Sequence, residues 1–318
     1  MSESGPLTIL MTGEIAPGLE DEIEAVAPGA RVRRYDELDA LEADIETADI
    51  VATSHLSPAA LARAKRLKWV QSWSAGPDAL MFPDMIESPV VLTCCKGNGA
   101  IPLAEHAMMM MLMLDRDMPR SMAAQAERRW DRFYHGELNG RTCGIIGTGH
   151  SGTDLAVKAK AFHMRVVGLR RTAREAPGFD RVYARDALHD FLAECDFLVV
   201  TAPLTEESRG LLGHAEFACM KETAFYVCIS RGGIADDAAL LEALRSGEIA
   251  GAGLDAHAAE PLPPDSPFWD LPNVIVTPHH GALARATRRR GYDIFVDNVR
   301  RYVNGEPLYN IVDKQAGY

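Results

Sequence analysis

The segment CGIIGTGHSGTDLAVKAKAF, residues 143–162, constrains the fold of this chain more than any other feature. An apolar, strand-like run leads directly into three glycines spaced as GxGxxG, and helix-like apolar spacing follows from Asp154 to Phe162. Each glycine then has a distinct role, because Gly147 permits a tight turn, Gly149 admits a pyrophosphate close to the backbone, and Gly152 lets the helix close on the strand. The segment therefore predicts a βαβ unit that binds a dinucleotide at a helix start. A tight turn without a ligand is the simpler alternative, but it explains less of the pattern.

Continuous apolar and β-branched runs follow this loop and predict the strands of one parallel sheet. They lack polar alternation, which is typical of strands that are covered on both faces. Helix-like segments such as Asp236 to Gly247 fall between them, and this alternation indicates a doubly wound domain. The runs are RVVGLRR, DFLVVTAP, AFYVCIS, IAGAGLDA and NVIVTPH.

The first part of the chain repeats this pattern on a smaller scale and without a phosphate loop. The predicted fold class is therefore α/β, with two doubly wound parallel-sheet domains. A helix-like stretch from Ala282 to Tyr302 follows the last strand and is predicted to pack on the first domain. We thus expect a dinucleotide-binding domain at residues 102–282 and a substrate domain formed by residues 1–101 and 283–318.

Composition excludes several classes of partner. The chain has 318 residues and a formal net charge of −12, which repels phosphate backbones and anionic lipids, so neither nucleic acid nor membrane is a predicted partner. Its six cysteines lack CxxC and zinc-site spacing, so we expect no metal site and reduced thiols, as in the cytoplasm. The run from Ala107 to Leu114 is much shorter than the roughly 20 residues of a membrane span, and is predicted to be the buried face of a helix.

Two arginines end the strand that follows the glycine loop, where an acidic residue is the usual ribose ligand of NAD(H). Arg170 and Arg171, followed by the hydroxyl of Thr172, could instead bind a 2′-phosphate. The sequence therefore favours NADP(H) over NAD(H), with NAD(H) still possible. The alternative is that both arginines are merely solvated charges at a strand end.

Three later residues are candidates for catalysis: Arg231, Glu260 and His279. Singly, each has an ordinary structural explanation as a surface ion-pair partner, a solvated loop acid or a hydrogen-bonded histidine. All three, however, follow predicted strands of the sheet that carries the glycine loop, on the side where open α/β sheets bind ligands. Their joint position favours an active site.

At these segments the sequence resembles the D-isomer-specific 2-hydroxyacid dehydrogenase family, and in particular its glyoxylate/hydroxypyruvate reductases. The glycine loop, SRGG, LDAHAAEPLP and TPH occur in the family's order and at similar spacing. The resemblance implies a Rossmann-type cofactor domain inserted into a flavodoxin-like substrate domain, and a reaction between NADP(H) and a small 2-oxo or D-2-hydroxy acid. It also implies a homodimer with the helical region around AEHAMMMMLML in the interface. Trp130 resembles an interface tryptophan of some relatives.

The resemblance also implies roles for single residues. Arg231 would bind the substrate carboxylate and polarise the keto group, His279 would be the acid/base, and Glu260 would pair with it. In the first domain, the backbone amides of Ala75 and Gly76 would hold the substrate carboxylate, together with Arg231 and His279. The implied cofactor-binding residues are Gly147, Thr148, Gly149, His150, Ser151, Gly152, Arg170, Arg171, Thr172, Ala202, Pro203, Cys228, Ile229, Ser230, Asp255, His279 and Gly281, with Asp255 near the nicotinamide carboxamide.

The chemistry of these side chains agrees with such roles. Histidine exchanges a proton near neutral pH, a carboxylate beside it favours the protonated ring, and arginine is a fixed cation. Two departures from the family pattern leave substrate preference open: Cys228 stands where relatives often have Asn, and His280 where they have a small apolar residue.

Two other functions are alternatives to a 2-oxo acid reductase. One is an NAD-dependent phosphoglycerate or formate dehydrogenase-like enzyme. The other is a non-catalytic dinucleotide sensor, which would not need proton-transfer groups.

Overall fold

The structure is a computed structural model that describes residues 6–317. These residues form two compact units, 6–98 with 285–317 and 99–284. Each unit is built on one parallel sheet, so the predicted fold class is confirmed. It stays a prediction that residues 1–101 and 283–318 form the substrate domain and that residues 102–282 form the dinucleotide-binding domain.

The first unit contains five strands and five helices. The strands are β1 (Thr8–Thr12), β2 (Arg31–Tyr35), β3 (Ile50–Ala52), β4 (Trp69–Gln71) and β5 (Val91–Thr93). The helices are α1 (Leu19–Val26), α2 (Leu38–Ala43), α3 (Pro58–Arg63), α4 (Pro83–Glu87) and the last helix of the chain, α11 (Arg285–Val303). The strands form one sheet in the order β2-β1-β3-β4-β5. Separate apolar clusters cover its two faces, and α11 contributes Tyr292, Phe295 and Val299 to one of them.

The second unit contains seven strands and six helices. The strands are β6 (Thr142–Ile146), β7 (Arg165–Arg170), β8 (Arg181–Ala184), β9 (Phe197–Val200), β10 (Phe225–Cys228), β11 (Gly251–Leu254) and β12 (Val274–Val276). The helices are α5 (Ala100–Asp115), α6 (Met118–Ala126), α7 (His150–Ala161), α8 (Leu188–Glu194), α9 (His214–Phe217) and α10 (Asp237–Ser246). The strands form one sheet in the order β12-β11-β10-β9-β6-β7-β8. Its central strands are buried throughout, because helices pack on both faces.

Local sequence signals fix α10 at both ends. The Asp236 carboxylate accepts a hydrogen bond from the backbone N–H of Ala239 at 2.9 Å, and Gly247 ends the helix in the left-handed conformation. The helix expected from Ala282 begins instead at Arg285, because the preceding residues form turns closed by the backbone N–H groups of Leu283 and Ala284. Residues 282–284 therefore belong to the loop that follows β12.

The Met-rich segment lies in α5, where most of its side chains are buried, as expected. All six cysteines are free and five are buried. Burial raises the pKa of the Cys143 thiol to about 12, as expected for an apolar core position. Within residues 6–317, no helix is both long and apolar enough to cross a membrane.

Candidate functional site

The candidate cofactor residues of the second unit lie at the carboxyl edge of its sheet. The strand order reverses at β6, which has β7 on one side and β9 on the other. Such a reversal leaves a crevice above the strand ends, where α/β sheets bind ligands. The glycine loop follows β6, the arginine pair ends β7, Ala202 and Pro203 follow β9, and Arg231 follows β10.

The glycine loop has the shape that a pyrophosphate requires. Gly147 has a φ of 103°, which side-chain-bearing residues rarely adopt. A methyl group on Gly152 would lie 2.0 Å from the carbonyl oxygen of Gly147, so only glycine permits this packing. The Thr201 hydroxyl fixes the same carbonyl with a 2.7 Å hydrogen bond. Because α7 begins at His150, the first backbone N–H groups of α7 have no intrahelical acceptor and can bind an anion.

The arginine pair lies beside a third arginine. Arg170 is half-buried, whereas Arg171, Thr172 and Arg174 are exposed. Burial lowers the pKa of Arg170, and the positive charge of Arg174 lowers it further. Several positive charges thus meet where the second strand of the βαβ unit ends, and the sequence has no acidic residue at the usual ribose position.

The loop after β10 contains a polar atom without a partner. The Ser230 hydroxyl oxygen is buried and makes no hydrogen bond to any described residue. Arg231 Nη1 donates to the carbonyl of Ser230 at 2.8 Å, and the Cys228 thiol donates to the carbonyl of Arg231 at 3.3 Å. Buried hydroxyls are normally paired, so a ligand group at Ser230 would complete this loop. Together with the glycine loop, this atom fits a bound dinucleotide.

His279 and Glu260 form a direct pair. The ring Nδ1 of His279 lies 2.8 Å and 2.9 Å from the two carboxylate oxygens of Glu260. The backbone N–H of His257 donates to the same carboxylate at 3.0 Å. Burial raises the pKa of Glu260, but the His257 amide and the His279 ring outweigh burial and hold this pKa below its ordinary value. Glu260 is therefore ionised at neutral pH and orients the ring through Nδ1, which leaves Nε2 for a ligand.

The backbone at His279 is left-handed, with a φ of 49°. A non-glycine residue in this conformation costs roughly 1–3 kcal/mol and persists only where its surroundings impose it. Asp255 imposes it: Oδ1 accepts from the Thr277 hydroxyl at 2.6 Å and from the His280 amide at 3.0 Å, and Oδ2 accepts from the Gly281 amide at 2.9 Å. These three hydrogen bonds bracket His279 and hold its turn.

Asp255 is fully buried and ionised. Burial raises the pKa of its carboxyl group, but the Thr277 hydroxyl, the amides of Gly281 and His280, and the neighbouring His106 together keep the pKa below its ordinary value. The contact to a nicotinamide carboxamide stays a prediction.

Sequence reasoning missed Thr277, His257 and His106. The His257 ring lies 2.9 Å from the Thr277 carbonyl, and the His106 ring lies 3.1 Å from the Thr277 hydroxyl. His106 is one of two polar residues, with Asp115, among the buried residues of α5, and this is the one signal that could have singled it out. The residues that the His106 ring contacts lie far from it in the chain, so sequence spacing could not identify them.

Ala75 and Gly76 lie in the first unit, in the loop after β4. Ala75 is exposed and Gly76 is half-buried. Their role in binding a substrate carboxylate stays a prediction.

The chain matches the family model described as "D-isomer specific 2-hydroxyacid dehydrogenase, NAD binding domain" over residues 108–281. A D-3-phosphoglycerate dehydrogenase from Methanocaldococcus jannaschii is 32% identical over 79% of this chain and 48% of the relative. The chain thus spans about half the length of the phosphoglycerate dehydrogenases that it matches.

Other relatives are covered more fully. Glyoxylate/hydroxypyruvate reductase B from Pectobacterium carotovorum is 36% identical over 80% of this chain and 82% of the relative. The crystal structure of an NADPH-dependent glyoxylate/hydroxypyruvate reductase from Sinorhizobium meliloti, in complex with NADP and sulfate, is similar with a TM-score of 0.85 and 32% identity, and covers 99% of this chain and 100% of that one.

Proposed function

Because the chain belongs to the D-isomer specific 2-hydroxyacid dehydrogenase family, we propose that it transfers a hydride between NADP(H) and a small 2-oxo or D-2-hydroxy acid. We propose reduction of glyoxylate- or hydroxypyruvate-type substrates as its activity, in line with the names of two relatives. The observation that carries the proposal is the His279–Glu260 pair, at the sheet edge that also bears the glycine loop.

The three candidate catalytic side chains have different roles. When bound, the nicotinamide supplies the hydride. His279 gives a proton from Nε2 to the substrate oxygen, while Glu260 orients the ring through Nδ1. Arg231 keeps its charge, binds the substrate carboxylate and stabilises negative charge on the oxygen. In the oxidation direction His279 takes the proton back.

The proposal is tested by NADPH oxidation with a panel of 2-oxo acids, comparing wild type with His279→Asn. Asparagine tolerates the left-handed backbone but cannot act as an acid near neutral pH. We expect kcat to fall by about 10²–10⁴-fold, the usual contribution of a general acid, while NADPH affinity measured by fluorescence is kept. The exposed His55→Ala is the control. Unchanged turnover in His279→Asn would show that another group moves the proton.

Assays of NAD reduction with 3-phosphoglycerate and with formate, run beside this panel, separate the alternatives. Oxidation of 3-phosphoglycerate with NAD in preference to reduction of glyoxylate or hydroxypyruvate would favour a phosphoglycerate dehydrogenase, and oxidation of formate a formate dehydrogenase. Tight dinucleotide binding without turnover of any substrate would favour a sensor.

We propose that Arg170, Arg171 and Thr172 bind the 2′-phosphate, so that NADP(H) is preferred over NAD(H). The double variant Arg170→Ser/Arg171→Ser should lose about 10- to 100-fold or more in kcat/KM with NADPH, since each hydrogen bond to a charged group contributes roughly 1.5–3 kcal/mol. Its kcat/KM with NADH should hardly change. Arg245→Ser, on the exposed side of α10, is the control. Equal losses with both cofactors, or a wild type that prefers NADH, would contradict the proposal.

We propose further that the chain is a homodimer that uses the region of α5 and the segment after it. This proposal is supported by large apolar side chains exposed there: Met122, Trp130 and Tyr134, with Trp130 91% exposed. Sedimentation equilibrium should give about twice the chain mass of 34.7 kDa, and Trp130→Ser should weaken the association. A monomeric wild type at micromolar concentration would contradict it.

A further inference from the structure

Three side chains of metal-binding type meet next to the His279 turn. His106 comes from α5, Asp255 follows β11 and His280 follows β12. Each offers one donor atom, and these atoms lie within 4.8 Å of one another. The rings of His106 and His280 are perpendicular, with centroids 5.3 Å apart. No two of the three are neighbours in sequence, which is why no metal-binding spacing is visible there.

The donor set suits a late first-row divalent ion. Two imidazoles and one carboxylate are the ligands that Zn²⁺ takes in sites with an open fourth position. Zn–N and Zn–O bonds of about 2.0–2.2 Å place tetrahedral donors about 3.4 Å apart, so the observed donors need to move by roughly an ångström. His280 is exposed, and its side chain can make that movement.

The contacts of His106 and Asp255 agree with this donor set. The His106 ring is largely buried, and its Nε2 lies 3.5 Å from Asp255 Oδ1 and 3.1 Å from the Thr277 hydroxyl. The Asp255 carboxylate accepts three hydrogen bonds, whereas two oxygens offer about four acceptor sites, so one site remains for a cation.

The packing at Gly281 keeps the cluster compact. A methyl group there would lie 2.8 Å from Asp255 Oδ2 and 3.2 Å from the His106 ring. Glycine therefore lets the chain pass close to both ligands, with a donor atom of His280 within 4.8 Å of theirs.

We propose that His106, Asp255 and His280 form a binding site for a divalent transition-metal ion of the Zn²⁺ class, with water in the remaining position. A bound ion ties the exposed His280, and with it the turn that carries His279, to α5. The site differs from the proton-transfer pair, because neither His279 nor Glu260 is among its ligands. Metal binding does not depend on which substrate the protein reduces.

Isothermal titration of the full chain with ZnCl₂, after chelator treatment and without added cofactor, tests the proposal. We expect one saturable site per chain in wild type and in the exposed-histidine control His55→Ala. His280→Ala should bind at least about 10- to 100-fold more weakly, since even outer partners of metal ligands contribute that much. His280→Cys, which supplies a thiolate, should restore binding.

Two results would overturn the proposal: no saturable site in wild type, or equal Zn²⁺ affinity in wild type and His280→Ala. Circular dichroism establishes that each variant is folded. If His280→Ala does not fold, His280→Gln takes its place in the same titration, and unchanged affinity in that variant contradicts the proposal in the same way.

Discussion

The carboxylate of Asp255 determines the geometry of the candidate active site. It is fully buried, and it accepts hydrogen bonds from a hydroxyl and two amides that flank His279. Burying a charge is expensive unless it is hydrogen-bonded, so the chain gives both oxygens partners. The result is a left-handed turn that places the His279 ring against Glu260. Removal of this anchor would leave the strained conformation unsupported.

The sheet determines where this turn lies. Because all seven strands are parallel, the residues that follow them gather at one edge, and the order reversal at β6 opens the crevice there. The glycine loop, the unpaired Ser230 hydroxyl and the arginine pair at the end of β7 thus share one side of one sheet with His279 and Glu260. The start of α7 can bind an anion, Arg231 is a fixed cation, and His279 with Glu260 can exchange a proton. Together at one edge of the sheet, these groups suit the proposed reduction of a charged carbonyl substrate.

Much of this arrangement could be predicted because it follows from local patterns. The glycine loop, the caps of α10 and the strand that precedes His279 each have a signal within a few residues. The strands β2 and β8 escaped prediction, because RVRRY and RVYA are charged edge strands that are partly exposed and lack an apolar run. The hydrogen bonds of Asp255 to the His279 turn and the contacts of Thr277, His257 and His106 also escaped prediction, because they join residues far apart in the chain. That Glu260 and His279 lie together was expected only from the family resemblance and from their positions after strands of the same sheet.

Hydrogen–deuterium exchange of Asp255→Asn against the exposed control Asp265→Asn tests most directly whether Asp255 holds the His279 turn. An amide group can replace only one oxygen, and its NH₂ would then face a donor, so at least one of the three hydrogen bonds is lost. We predict faster exchange in the peptide that spans residues 277–284, with the glycine-loop peptide unchanged. Because the pKa of Asp255 is lowered, the wild type should keep its protection from neutral pH down through the ordinary aspartate range of about 3.9 and lose it only below. Equal exchange of that peptide in both variants would contradict the account.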